Sequence, residues 1–320
     1  MDKNKKLLLI SGIFIIINMI FSIVVTSIMK SLSNTDIVLL VIEGVSLLIV
    51  LILSLSKVDL SKYRWLVIIL SIIFFIFNII SGVIGFVVAK NIDKREKREL
   101  PKLEIYHEYK WYIYVLLFVI SLLCIFFVPD LLNSKILVSL LYVLLIGINI
   151  FILRKDVKNS LVNFKEYFRE YNSYVLGMYL KSLAIMFILS LSIRMYTGID
   201  NATNQVNIVS VLDSFPIYTI LLSVVFAPIL EELLFRGLIR KTIKDKWFYI
   251  LFSGILFGAL HVIDDFQSYY ELLYILVYSS LGCFLAAIYY KTNNICANIY
   301  FHFLQNFISV CALLLLKFLQ

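Results

Sequence analysis

Six polar residues crowd into one apolar stretch near the end of the chain, and they fall into helical pairs. "FAPILEELLFRGLIRK" (Phe226 to Lys241) carries Glu231, Glu232 and Arg236, "GILFGALHVI" carries Phe257 and His261, and "ANIYFHFLQNF" carries His302 and Asn306. A charge buried in lipid or in a dry core costs several kcal/mol unless it is paired, hydrogen-bonded or neutralised. Residues four apart share one face of a helix, so Glu232 with Arg236, Phe257 with His261 and His302 with Asn306 each point one way. A Glu four residues before an Arg is the favourable order for an ion pair. Glu231 is turned about 100° from Glu232 around the axis and must find its partner on another helix.

The loop "KTIKDKW" (Lys241 to Trp247) is short, so the helices on either side should fold back as an antiparallel hairpin. That register sets Glu231 opposite residues 257 and 258, with His261 within about 5 Å along the axis. A carboxylate and an imidazole sharing a water make a general base for hydrolysis. His302 and Asn306, from a third helix, can face the same cavity and supply donors to a developing oxyanion. No Ser or Cys stands in a nucleophile motif, which favours attack by activated water. The alternative is a zinc ion held by Glu231, His261 and His302. With no HExxH helix, and with Asn306 left over in a zinc site, the reading adopted is no metal and no cofactor. Against all of this stands the fact that a single intramembrane His more often serves as a helix-helix hydrogen bonder, and Glu43, also in an apolar run, is read as structural.

The elements that must position these residues follow from composition. Of 320 residues, 62% are hydrophobic and 16% charged, whereas a soluble domain carries about a quarter of charged residues. The chain reads as an all-α polytopic membrane protein with multiple passes, a bundle of about 8–10 transmembrane helices with its polar site among the C-terminal ones. Apolar runs lie near 7–29, 37–56, 65–89, 111–129, 135–153, 173–194, 217–240, 247–263, 271–290 and 294–317. The first run follows "MDKNKK" and is read as a retained anchor, since its apolar part is too long for a signal peptide and no cleavage site follows. The net charge of +8 gathers in short loops, which fits the positive-inside rule rather than a nucleic-acid partner. Cys124, Cys283, Cys296 and Cys311 stand singly, so packing is expected of them and neither a disulfide framework nor a cysteine metal site.

The basic loop from Lys90 to Lys102 is the sharpest break in composition, and it suggests three regions: 1–104 with about three spans, 105–214 with connecting spans and an interfacial helix, and 215–320 with the polar residues. Loops at 154–172 and 236–246 are basic, while those near 130–134, 195–216 and 264–270 are not, so the second half of the chain has a definite sidedness. Three spans before the basic 90–102 loop would place it across the membrane from the lysines at the N-terminus, which is a conflict. "LVNFKEYFREY" (Leu161 to Tyr171) sets Leu161, Phe164, Phe168 and Tyr171 on one stripe and reads as an interfacial helix.

The three motifs resemble those of the CPBP or Abi family of intramembrane endopeptidases, which includes the CAAX prenyl protease 2 (Rce1-type) enzymes. Glu-Glu-x-x-x-Arg appears as "EELLFR", Phe-x-x-x-His as "FGALH" and His-x-x-x-Asn as "HFLQN", in that order, over about residues 215–315. The resemblance implies an intramembrane protease in which Glu231 and His261 activate water, His302 and Asn306 form the oxyanion site, and Glu232 with Arg236 holds the architecture, Phe257 lending structural support. It also implies a peptide or lipidated-peptide substrate and membrane lipid as surroundings. The Ile, Lys, Asn, Phe and Tyr bias points to a bacterial cytoplasmic membrane. Two other classes fit less well: a non-catalytic scaffold, regulator or bacteriocin self-immunity protein of the same family, and a transporter relaying protons through the Glu and His residues.

Overall fold

The computed structural model describes residues 2–29, 34–92, 98–132, 134–199, 203, 210–212, 214–263 and 267–319, without the side chains of 25–29, 34–38, 75–77, 79, 130 and 315–319. The described residues contain helices and no strand. Seven helices are long and apolar enough to cross a membrane, and three shorter apolar helices accompany them. The chain divides into two compact units, residues 1–97 and 98–318. Parts of the basic 90–102 loop, of 195–216 and of 264–270 fall outside the described residues.

In the first unit, α1 (Lys3–Met29) and α2 (Asn34–Leu55) are long apolar helices. The third apolar run is not one span. It breaks at Asn78 into α3 (Arg64–Phe77) and α4 (Ile79–Asn91). Asn78 has extended backbone, φ −152° and ψ 106°, and its side chain accepts a hydrogen bond from Ser81 N at 3.0 Å. It ends one helix and caps the next. The two short helices fold on each other so closely that a Cβ on Gly85 would stand 3.0 Å from Ser71 Cβ. Lys5 Nζ donates to Ser56 O at 2.6 Å and Arg64 Nε to Ala89 O at 3.2 Å, so the start of α1, the end of α2 and both feet of the α3–α4 hairpin lie at one end. A hairpin that returns to the side it left removes the conflict over the 90–102 loop. Glu43, 3% exposed, accepts from Asn18 Nδ2 at 2.8 Å, a satisfied buried carboxyl.

The second unit comprises α5 (Trp111–Leu132), α6 (Lys135–Ile152), α7 (Arg154–Glu166), α8 (Phe168–Thr197), α9 (Pro216–Thr242), α10 (Lys246–Leu260), α11 (Tyr274–Thr292) and α12 (Ile295–Leu319). The stripe expected over 161–171 is not carried by one helix. α7 ends at Tyr167, whose φ of −107° and ψ of 26° leave helical geometry, and Tyr171 is buried in the next helix while Phe168 is exposed.

One end of this unit is knitted together by polar contacts. Lys241 Nζ reaches Tyr106 O at 2.5 Å and Asp156 Oδ2 at 2.6 Å, Leu103 N donates to Thr292 O at 2.9 Å, and Asn294 Nδ2 donates to Ser160 O at 3.1 Å. At the other end Thr203 Oγ1 donates to Glu271 Oε2 at 2.7 Å, Tyr274 OH donates to Ile199 O at 3.0 Å, and Lys135 lies over the Phe215 ring.

Candidate active site

The site begins with an irregularity in α9. Two of its segments, Leu221–Phe226 and Glu232–Leu238, are π-helical, with bonds that skip one residue further than in an α-helix. Ala227 N accordingly donates to Leu222 O, which removes it from Ser223 O. The next candidate donor, residue 228, is a proline and has no N–H. Ser223 O is thereby freed, and Asn306 Nδ2 donates to it at 2.7 Å from α12. Pro228 and the π turn thus fix the Asn306 amide beside the site. π segments of this kind are frequent where function requires a carbonyl to leave the helical ladder.

Glu232 and Arg236, both fully buried, form the i, i+4 ion pair at 3.2 Å. Arg236 Nη2 also donates to Gly282 O at 3.0 Å, and its guanidinium lies 4.8 Å from the Phe257 ring centroid. Glu232 does more than neutralise Arg236. Its Oε1 accepts from His302 Nδ1 at 2.9 Å and its Oε2 from Asn298 Nδ2 at 3.2 Å. His261 Nδ1 lies 2.8 Å from Phe257 O. A carbonyl can only accept, so Nδ1 of His261 carries the proton, and the carboxylate of Glu232 asks the same of His302. Both rings therefore turn Nε2 toward one atom, Glu231 Oε2, each at 3.8 Å.

The structure thus brings Glu231, His261 and His302 together from α9, the end of α10 and α12. Glu231 Oε2 is buried and has no hydrogen-bond partner among the described residues. Phe257 is the wedge between the rings, its centroid 4.3 Å from that of His261 and 5.7 Å from that of His302. Tyr278 of α11 stacks on the other face of the site at 5.2 Å from His261. All of these, with Asn306, line a cavity of about 590 Å³. The remaining sequence-derived residues, Glu232 and Arg236, lie beneath it.

Five residues that shape the site are absent from the motif reading. Asn298 holds Glu232, and its position four residues before His302 puts it on the same face, a spacing the sequence displays. Tyr278 carries no such signal. Gly254, Gly258 and Gly282 let α10 and α11 approach closely: a Cβ on Gly282 would stand 2.8 Å from Gly254 O, and one on Gly258 would stand 2.8 Å from Ile275 O. The small-x-x-x-small spacing of Gly254 and Gly258 is a known device for close helix packing in membranes. The four cysteines are free thiols, and Cys283 packs at this glycine contact.

Glu231, His261 and His302 are the residues that would hold a zinc ion at this site. Glu231 Oε2 stands 3.8 Å from each Nε2, about 0.5 Å beyond the roughly 3.3 Å between ligands of a tetrahedral zinc with bonds near 2.0–2.1 Å. Among the described residues no group of three or more His, Cys, Asp or Glu is set to hold a metal ion.

Apolar helices that enclose a carboxylate, two imidazoles and an amide around one cavity define a polytopic membrane protein with a built polar site. Residues 213–308 match the family described as "Type II CAAX prenyl endopeptidase Rce1-like". The chain is also 31% identical over 106 residues to "Putative membrane peptidase YdiL" of Bacillus subtilis (strain 168), a match covering 32% of this chain and 40% of that protein. No solved structure matches the chain significantly.

Proposed function

We propose that the protein is an intramembrane endopeptidase that hydrolyses a peptide bond with a water held between Glu231 and His261. The observation that carries this reading is the convergence of His261 Nε2 and His302 Nε2 on Glu231 Oε2, each at 3.8 Å, a gap that a hydrogen-bonded water can bridge. In the proposed step Glu231 takes a proton as the water oxygen attacks the scissile carbonyl carbon. The carbonyl oxygen gains the electron pair and meets donors from His302 Nε2 and from the second N–H of Asn306. To donate, His302 must be the imidazolium, and Glu232 at Nδ1 is the group placed to hold that charge. Collapse of the intermediate breaks the C–N bond, and the proton held at Glu231 passes to the leaving nitrogen. The site residues serve without a metal in this reading, so cleavage should persist in strong chelator.

A scaffold or immunity protein would need no such alignment of donors and acceptors. The Rce1-like match and the likeness to a Bacillus protein named a membrane peptidase support the peptidase class. A bacterial cell membrane as the setting rests on composition. The test compares membrane proteomes of cells carrying the intact chain, Glu231→Gln or His261→Ala. Glu231→Gln should slow a cleavage seen with the intact chain by about 10²–10⁴-fold, the scale of a lost general base. Cleavage surviving both substitutions would end the peptidase reading.

A further inference from the structure

The direction in which the cavity opens is written in the helices. Helices α9 and α11 end, and α8, α10 and α12 begin, at the end where Lys241, Asp156, Thr292 and Asn294 are bonded together. Along α12 the lining runs from His302 through Gln305 and Ser309 to Leu313, always away from that end. On α9 it runs from Glu231 back to Tyr218, on α11 from Leu281 back to Tyr274, and on α8 it includes Met186 and Ser190, again in the same direction. Val211, beside the start of α9, and Tyr274, the first residue of α11, carry the cavity up to the level of the opposite loops. Toward the knitted end it is closed: Glu232, Arg236, Asn298, Phe257 and Phe301 are each 0% exposed.

The two ends differ sharply in charge. Segments 98–110, 154–172 and 240–246 with Lys291 carry thirteen Lys and Arg, against Lys135, Arg194 and Lys317 toward the other. Basic segments beside membrane spans stay in the cytoplasm. The floor of the cavity therefore faces the cytoplasm, and its mouth faces the other side.

Building on the peptidase reading, we propose that the site is reached from the non-cytoplasmic side, and that its substrate is an extended segment of an exported or membrane-inserted chain whose scissile bond lies in or above the outer half of the bilayer. A lipidated C-terminus presented from the cytoplasm would meet the buried Glu232–Arg236 floor. In this arrangement the cavity supplies the path for both water and substrate, since its 590 Å³ lies within the usual range of ligand sites.

The test uses the full chain with its four cysteines replaced by Ala and a single Cys introduced at Ser190, Ser309 or Lys244. Sealed vesicles of each orientation are treated with a membrane-impermeant charged methanethiosulfonate. Ser190→Cys and Ser309→Cys should react at least 10-fold faster from the side opposite to that which labels Lys244→Cys. Reaction from the same side as Lys244→Cys, or from neither side, overturns the proposal. Two positions on different helices guard against one variant misfolding. Labelling does not depend on catalysis, so Glu231→Gln in the same background separates the two readings: lost cleavage with unchanged labelling supports both, and unchanged cleavage with opposite-side labelling defeats only the peptidase reading. Cleavage products lost in Glu231→Gln cells should end on the non-cytoplasmic side, and a cut confined to the cytoplasm counts against the proposal.

Discussion

Adjacent glutamates on a helix point about 100° apart, and here that rotation separates two environments. The Glu232 side chain is fully buried and bonded to Arg236, His302 and Asn298, whereas that of Glu231 is 22% exposed and faces the cavity. Removing one member of a buried ion pair leaves the other charge uncompensated and costs about 3–5 kcal/mol. Glu232→Gln should therefore destabilise the folded protein by about that amount, while Glu231→Gln leaves stability within about 1 kcal/mol, since the Glu231 side chain is partly exposed and its Oε2 loses no hydrogen bond. Denaturant unfolding in detergent measures both. The double change Glu232→Gln with Arg236→Met should cost less than the sum of the singles, because no lone charge remains. Equal effects of the two glutamate variants would show that the burial of Glu232 is not what sets its role.

At the scale of elements, much of the site was legible and some of it was not, for physical reasons. The i, i+4 pairs survive translation into structure because a helix fixes angular position from sequence number alone, and the short 243–245 turn fixes the register of α9 against α10. The break at Asn78 is a different matter: a capping side chain acts over three residues and leaves the apolar pattern of 65–89 untouched. The π turns of α9 are likewise set by which carbonyl finds a donor, and Pro228 shows its effect only once the Ala227 bond is known. The approach of α10 to α11 rests on glycines whose role depends on a partner helix. A Cβ on Gly258 would meet Ser279 and the Ile275 carbonyl, and overpacking of this kind costs about 1–3 kcal/mol. Gly258→Val should lower thermal stability in detergent and, because His261 follows one turn later, reduce cleavage more than 10-fold at temperatures where the protein stays folded. Gly147→Val, where nothing lies within 4 Å, should change neither. Full cleavage by Gly258→Val would remove the close helix contact from the account of the site.

At the scale of the whole molecule, helix parity has to agree with charge, and the first unit does so through its hairpin. α3 has 14 residues and α4 has 13, about 21 Å and 20 Å of helix, each short of a hydrocarbon layer of about 30 Å. Folded back at Asn78, they enter and leave on one side. Non-helical backbone at such depth survives only where protein buries it or satisfies it. Asn78 meets that demand through its bond to Ser81 N, and Ser81 Oγ donates to Ser11 O of α1 at 2.9 Å. With α1 and α2 crossing as a pair, the N-terminal lysines, Lys57 and Lys90 share one face, as the bonds from Lys5 to Ser56 and from Arg64 to Ala89 require. Single cysteines at Lys3, Lys57 and Lys90 in the full chain should all react with an impermeant thiol reagent from the same side of sealed vesicles. A true span over 65–89 predicts instead that Lys90→Cys reacts from the side opposite to Lys57→Cys, and that outcome would convert the hairpin into a crossing and restore the charge conflict it resolves.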